Sequence, residues 1–357
     1  MSVSPEASAT SMSASSATKP PRESRMWLWN MLIGLVLLAS ISIVPALGDP
    51  ALLHTWSLIV MFCVLAQGWN FIGGFAGYAA FGNVVFFGLG SYSVGIVLND
   101  GRPFWVGLLV GLVISVVFAF IVGLPILRLR GHYFAIATLG VAEAVAEFIA
   151  ARDIGGSGGL LSVHPPTLSE LPLFFYGFVG LSAVTLIGTA YLSRSKFGYA
   201  LVAIRENEQA AEAMGIPSYW YKVAAFTLSA APTAIAGGLY AYWATGFDPT
   251  TVFDPSYSVE MVLLAFIGGA GTILGPLLGG VAFEYMSYQF QVSGFTLHNS
   301  LLGISIVIVT IFLPQGFIRL IQEFVRPSGR IGTNDSYLVR FREGMRRVQR
   351  FIASNGV

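Results

Sequence analysis

Apolar runs long enough to cross a bilayer recur from Met26 to the neighbourhood of Leu313, and no other feature narrows the fold so far. A hydrocarbon core about 30 Å thick takes about 20 residues of helix to cross. Hydrophobic residues make up 55% of the chain and charged residues 10%, well under the quarter usual in soluble domains. The expected fold is an all-α integral membrane protein, a polytopic bundle of about eight to ten transmembrane helices with interrupted or re-entrant segments.

Taken in order, residues 1–25 are rich in Ser, Ala and Pro and are expected to be a disordered tail. Met26–Leu47 exceeds the apolar region of a secretory signal, about 7–15 residues, and is read as an uncleaved first span. Further spans are expected over about Ala51–Ile72, Ala79–Leu98, Phe104–Leu127, His132–Ala150, Leu171–Leu192 and Val223–Ala244. Basic residues set the orientation. Lys19, Arg22 and Arg25 place the N-terminus in the cytoplasm, and Arg128, Arg130 and Arg194 fall on the same side. The loops around Asp49, Asp100 and Asp153 fall opposite. Arg319, Arg326 and the basic tail from Arg340 to Arg350 put the C-terminus inside too, so crossings are even in number. The expected organisation is a cytoplasmic tail at 1–25, a membrane domain at 26–320 with a cytoplasmic loop at 193–222, and a cytoplasmic basic tail at 321–357.

That parity bears on Ser258–Met286, which lies between an outward seventh span and a final inward span near Leu301–Leu313. It must begin and end outside, and IGGAGTILGP interrupts its middle. Either two short helices meet near Gly268–Pro276, giving about ten spans, or a re-entrant hairpin gives about eight. A single straight helix would put a basic terminus on the wrong side.

Several kinds of chemistry are excluded. No Gly-Lys dipeptide occurs, so there is no phosphate-binding GxxxxGK[ST] loop, and any energy from ATP must come from another subunit. His54, His132, His164 and His298 lack metal-ligand spacing, so neither metal nor cofactor is expected. GGSGG at Gly155–Gly159 matches GxSxG in form but lacks the strand before and the helix after. Cys63 is the lone cysteine and has no evident base. A net charge of +1 gives no broad basic surface for nucleic acid.

Three stretches remain informative. Gly73–Ser93, GGFAGYAAFGNVVFFGLGSYS, holds too many glycines for a rigid helix at about 1 kcal/mol each. It reads either as close helix packing or as a broken helix whose freed backbone lines a polar path. Asn70, Gly77, Asn83, Ser91 and Tyr92 are its candidate path residues, with Thr138 and Glu143 from the fifth span. Glu143 and Glu147 share a helix face, and Glu143 lies roughly 18 Å from Gly131, past the midplane. An acid at that depth either meets the transported solute or is packed and hydrogen-bonded within protein. The third stretch, Gly198–Pro217, sets Arg205, Glu206, Glu208 and Glu212 into a polar helix expected over about Tyr199–Met214, stopped by Gly215 and Pro217. Ala200, Ala203, Ile204, Ala210, Ala211 and Met214 give it a small-residue surface. That surface suits the groove of another protein, or else the helix lies on its own bundle.

Together these stretches resemble the permease subunits of bacterial ABC importers for branched-chain amino acids, the LivM type, over approximately residues 50–320. GYAAFGNVVFFGLGSYSVGIVL, LRLRGHYFAIATLGVAE, GGSGGL, KFGYALVAIRENEQAAEAMGI and IGGAGTILGPLLGG follow that family's motifs in order. The resemblance implies a subunit of the bacterial inner membrane, both termini cytoplasmic, that catalyses no covalent chemistry. Its implied partners are a second permease subunit, two cytoplasmic ABC ATPases, a periplasmic solute-binding protein and the membrane lipid. Gln209, Ala210, Ala211 and Gly215 occupy the family's EAAxxxG-type docking pattern, with Arg205, Glu208 and Glu212 beside them. Gln209 stands where that pattern has Glu, and Asn83 where relatives often have His. The solute is left open among branched-chain and other amino acids, amides or urea, and small aromatic acids. A secondary transporter or channel is the rival reading; it would need intramembrane ion ligands and no docking helix.

Overall fold

The computed structural model describes residues 26–47, 49–152, 160–161, 170–244 and 246–292. The two tails, the GGSGG motif, His164, His298 and the span expected near Leu301–Leu313 lie outside the described residues. Helix α2, Pro50–Asn70, starts on an Asp49 cap with Pro50 in its first turn. From Ile59 to Asn70 every residue is buried. An apolar helix enclosed on all sides belongs at the centre of a bundle, and α2 is flanked by α6 (Leu171–Leu192), α9 (Ser218–Trp243), α11 (Pro255–Gly268) and α12 (Gly275–Val292). α1 (Met26–Ile41) rests on α6. A second group joins α3 (Val84–Asn99), α4 (Phe104–Ile126) and α9, with the short α10 (Pro249–Val252) against α3.

α4 shows how such helices are oriented where both core and lipid are apolar. Gly107, Gly111, Ser115, Ala119 and Gly123 form a buried stripe at a four-residue interval. Trp105, Leu109, Val113, Val117 and Ile121 form the opposite, exposed stripe at the same interval. Lipid solvates large side chains as well as a protein core does, so small residues go where backbones must approach and large ones face outward. Where α3 crosses α9 the backbones approach closely. A Cβ on Gly90 would collide with the Ala234 carbonyl, and one on Gly237 with that of Phe87.

Among the described residues six helices are long and apolar enough to cross a membrane, and α3 is a shorter apolar helix. The bundle is all-α. Its only extended pairing among the described residues is Leu160–Leu161 with Gly246–Phe247, antiparallel, which joins the loop after α5 (His132–Ala151) to the loop after α9.

Two local expectations are corrected, and the interruption expected within residues 258–286 is present. The third span begins at Val84 rather than Ala79, because α2 runs through a π-turn at Phe71–Phe75 into irregular chain. Residues 258–286 are not one straight helix. α11 and α12 meet across a turn at 269–274, where Gly269 and Gly271 have φ of 117° and 77°, values that favour glycine. The polar helix expected from Tyr199 to Met214 is two helices, α7 (Lys196–Glu206) and α8 (Glu208–Ala213). Asn207, extended at φ −160° and ψ 103°, ends the first, and its side chain accepts from the Ala210 N–H to cap the second.

Candidate coupling site

The α7–α8 segment is anchored by ion pairs and hydrogen bonds to three distant parts of the chain. Glu208, first residue of α8, accepts from Lys222 Nζ at 2.7 Å and from the Tyr78 hydroxyl at 2.6 Å. Lys222 also donates to Tyr78 Oη at 3.0 Å, and its ammonium lies 4.7 Å from the Tyr78 ring centroid. Arg130, in the turn before α5, closes the group from outside, 3.5 Å from Glu208 and 4.0 Å from Glu212. Burial works to raise the Glu208 carboxyl, but the Lys222 and Tyr78 hydrogen bonds and the Lys222 and Arg130 charges outweigh it and hold it below the usual range. The Tyr78 phenol is pushed up, first by burial and then by donating to the Glu208 carboxylate.

Arg205 makes a second anchor. Its Nη1 donates to the Gly74 carbonyl at 2.8 Å, a group left without a helical partner where the π-turn ends. A cation at a helix C-terminus is also favourable electrostatically. At the far end of α8, Gly215 (φ 85°) donates to Glu212 O, and Ile216 N donates to Ala211 O. This is a Schellman stop, which explains the Gly-x-Pro ending.

These anchors divide the residues of the expected docking pattern. Arg205, Glu208 and Ala211 turn inward, Ala211 being buried. Gln209, Ala210, Glu212 and Gly215 remain exposed, joined by Ala213 and Met214. Of the small-residue surface read from sequence, Ala200, Ile204 and Ala211 pack onto the bundle. Beside the Schellman turn a recess of about 390 Å³ is lined by Glu212 and residues 215–219. Lys222 and Tyr78 escaped the sequence reading as partners of Glu208; the lysine five residues after the Gly-x-Pro stop was the available signal.

The path residues are dispersed. Asn70 is fully buried, its side chain bonded to the turn between α11 and α12. Gly77 (φ 77°) lies against Arg205. Thr138 Oγ1 accepts from Phe81 N at 3.1 Å, pinning the irregular connection at 76–83, as do Trp69 Nε1 on Ala80 O and Ser258 Oγ on Val84 N. Non-helical backbone within a membrane bundle needs such partners. Ser91 Oγ is 2.9 Å from both the Phe87 and Gly237 carbonyls at the α3–α9 crossing. Asn83 reaches Ser229 Oγ at 3.4 Å while its Oδ1 has no partner among the described residues, and the same holds for the buried Tyr92 hydroxyl. Glu143 is on the exposed side of α5, away from these groups, with Gly140 and Glu147. Two further buried acids were missed: Glu260 of α11 and Glu284 of α12 lie near one another between those helices. Counting from the turn would have shown them at one depth, eight residues before Gly268 and nine after Gly275.

No solved structure matches the chain. Two relatives carry the name high-affinity branched-chain amino acid transport system permease protein LivM. The Escherichia coli K12 protein is 29% identical and the Salmonella typhimurium protein 28%, each over 73% of this chain and 68% of the relative. The nucleoside ABC transporter permease protein NupC of Lactococcus lactis is 25% identical over 53% of this chain and 64% of its own length. Such relatives are transport subunits rather than enzymes, and the chain is a multi-pass inner-membrane protein of the same kind. The family described as branched-chain amino acid transport system / permease component matches residues 51–311, and this chain belongs to it.

Proposed function

We propose that this chain is one of two permease subunits in an ATP-driven importer, and that a cytoplasmic ATPase seats on the exposed face of α8. The observation that carries the reading is the division of the α7–α8 segment. Arg205 and Glu208 are spent inward on Gly74, Tyr78 and Lys222, while Gln209, Ala210 and residues 212–215 are presented outward. A surface helix whose own bundle takes only half of it, on a rigid mount, suits reception by another protein. Both termini are then cytoplasmic, and a periplasmic binding protein delivers solute from the opposite side.

The solute is a branched-chain amino acid or a related small amino-acid-like molecule. The two LivM relatives support this, since they match over more of the chain than the nucleoside permease does. Glu143 supports a path along α5, between this chain and the second permease, because an exposed acid on a membrane span needs protein or water beside it.

The docking surface is tested with Ala210→Trp and Gly215→Val in the chain co-expressed with its ATPases. A bulky ring on an exposed alanine, or a β-branched residue at φ 85°, should cut ATPase co-purification at least about tenfold with membrane insertion intact. Wild-type co-purification by both variants would rule the docking face out.

A further inference from the structure

Two interruptions of the bundle meet under α7, and Arg205 and Asn70 hold them together. The first is the π-turn that ends α2, the second the turn at 269–274 between α11 and α12. Asn70 Oδ1 accepts from Gly271 N–H at 2.7 Å and its Nδ2 donates to Thr272 O at 3.1 Å. Arg205 Nη1 bonds Gly74 O at 2.8 Å. A Cβ on Gly271 would stand 2.5 Å from that Nη1 and 2.8 Å from Gly74 O, so the guanidinium touches both breaks at once. The turn is also stapled internally, Thr272 Oγ1 donating to Gly269 O at 2.7 Å and accepting from Gly275 N at 3.0 Å. It therefore moves as a piece, or not at all.

We infer that Arg205 and Asn70 are positioning residues that carry displacement of the docking helix into the turn at 269–274, making that turn the moving element of the gate on the ATPase side. The inference rests on the docking reading of α8. Its physical basis is the contrast between the two bonds. Asn70 satisfies both backbone groups of the turn from a fully buried position, and leaving those groups unpaired is expensive. Arg205 is half-buried and stands on the segment that an ATPase would move. A pull on α7–α8 is thus delivered to the Gly74 carbonyl and passed to the turn through a link that resists breaking. Small shifts become discrete changes where packed elements have two arrangements.

The test uses the full importer with its ATPases in lipid nanodiscs. A Cys63→Ser background removes the buried native thiol, and Ala270→Cys places a probe on the half-buried turn. The rate of maleimide labelling is compared with ADP and with ATP plus vanadate. We expect at least about a fivefold difference in this background, in the range of ordinary allosteric coupling. Asn70→Ala and Arg205→Ala should each bring the ratio to about one while the ATPases co-purify at the parental ratio, and Arg205→Lys should restore part of it. No nucleotide dependence in the parental background overturns the moving turn, and an undiminished ratio in Asn70→Ala overturns the clamp. Loss of the ATPases from Arg205→Ala, with Asn70→Ala behaving as the parent, makes Arg205 a docking residue and overturns the clamp while the docking reading stands. Failure of the parental complex to retain its ATPases removes both.

Discussion

Lys222 Nζ lies 2.7 Å from Glu208 Oε1, with only 4% and 15% of the two side chains exposed, and so ties the second turn of α9 to the first turn of α8. Residues fourteen positions apart in sequence thereby hold α8 against a transmembrane helix. Breaking such a pair from one side leaves a buried charge without its counterion.

Lys222→Met should therefore destabilise the chain by about 3–5 kcal/mol, and joint replacement with Glu208→Leu should recover most of that. Thermal unfolding in detergent measures both. The penalty has a pH signature. Glu208 has a depressed folded-state carboxyl, so its contribution is fully present above the unfolded value of about 4.3 and is lost as pH falls through the lower folded value. The gap between wild type and Lys222→Met should narrow below about pH 4. A gap independent of pH would mean that the loss is packing around the lysine stem.

The turn at 269–274 shares a side of the bundle with α7, because Gly271 touches Arg205. The proposed orientation puts that side in the cytoplasm. A cysteine at Ala270, which avoids the strained Gly271, should label in inside-out vesicles and stay unlabelled in intact cells by an impermeant maleimide. The reverse pattern would invert the proposed orientation.

Much of this fold is written in local sequence. The four-residue intervals of α4 and the Gly-x-Pro stop at Gly215 need no knowledge of the rest of the chain. The Asn207 break was less visible, since an asparagine in a polar helix reads as solvated until its side chain is seen capping Ala210. Least legible was the direction of Arg205 and Glu208. Their amphipathic setting suggests an outward face, but their partners lie at Gly74, Tyr78 and Lys222, and only folding brings those together. The path residues failed to gather for the same reason. Glycines and small polar groups in membrane helices serve close packing as readily as solute contact, as Ser91 does between Phe87 and Gly237.

Glu143 stands apart from that ambiguity because nothing among the described residues explains it. Phe134, Thr138, Ala142 and Ile149 form the buried side of α5, and Glu143 is on the other, with Ile136 and Gly140. A carboxylate facing lipid there would cost a few kcal/mol even by lenient insertion scales. The same position is favourable if a second permease covers α5 and leaves a wet path along it, where the acid can meet the ammonium group of an amino-acid solute. Glu143→Gln keeps the shape and removes the charge, so uptake of radiolabelled leucine should fall at least about tenfold with expression and subunit assembly unchanged. Glu147, one turn nearer the helix end, should tolerate the same change within about twofold. Unimpaired uptake by Glu143→Gln would return the acid to a packing role against the second subunit and move the solute path elsewhere.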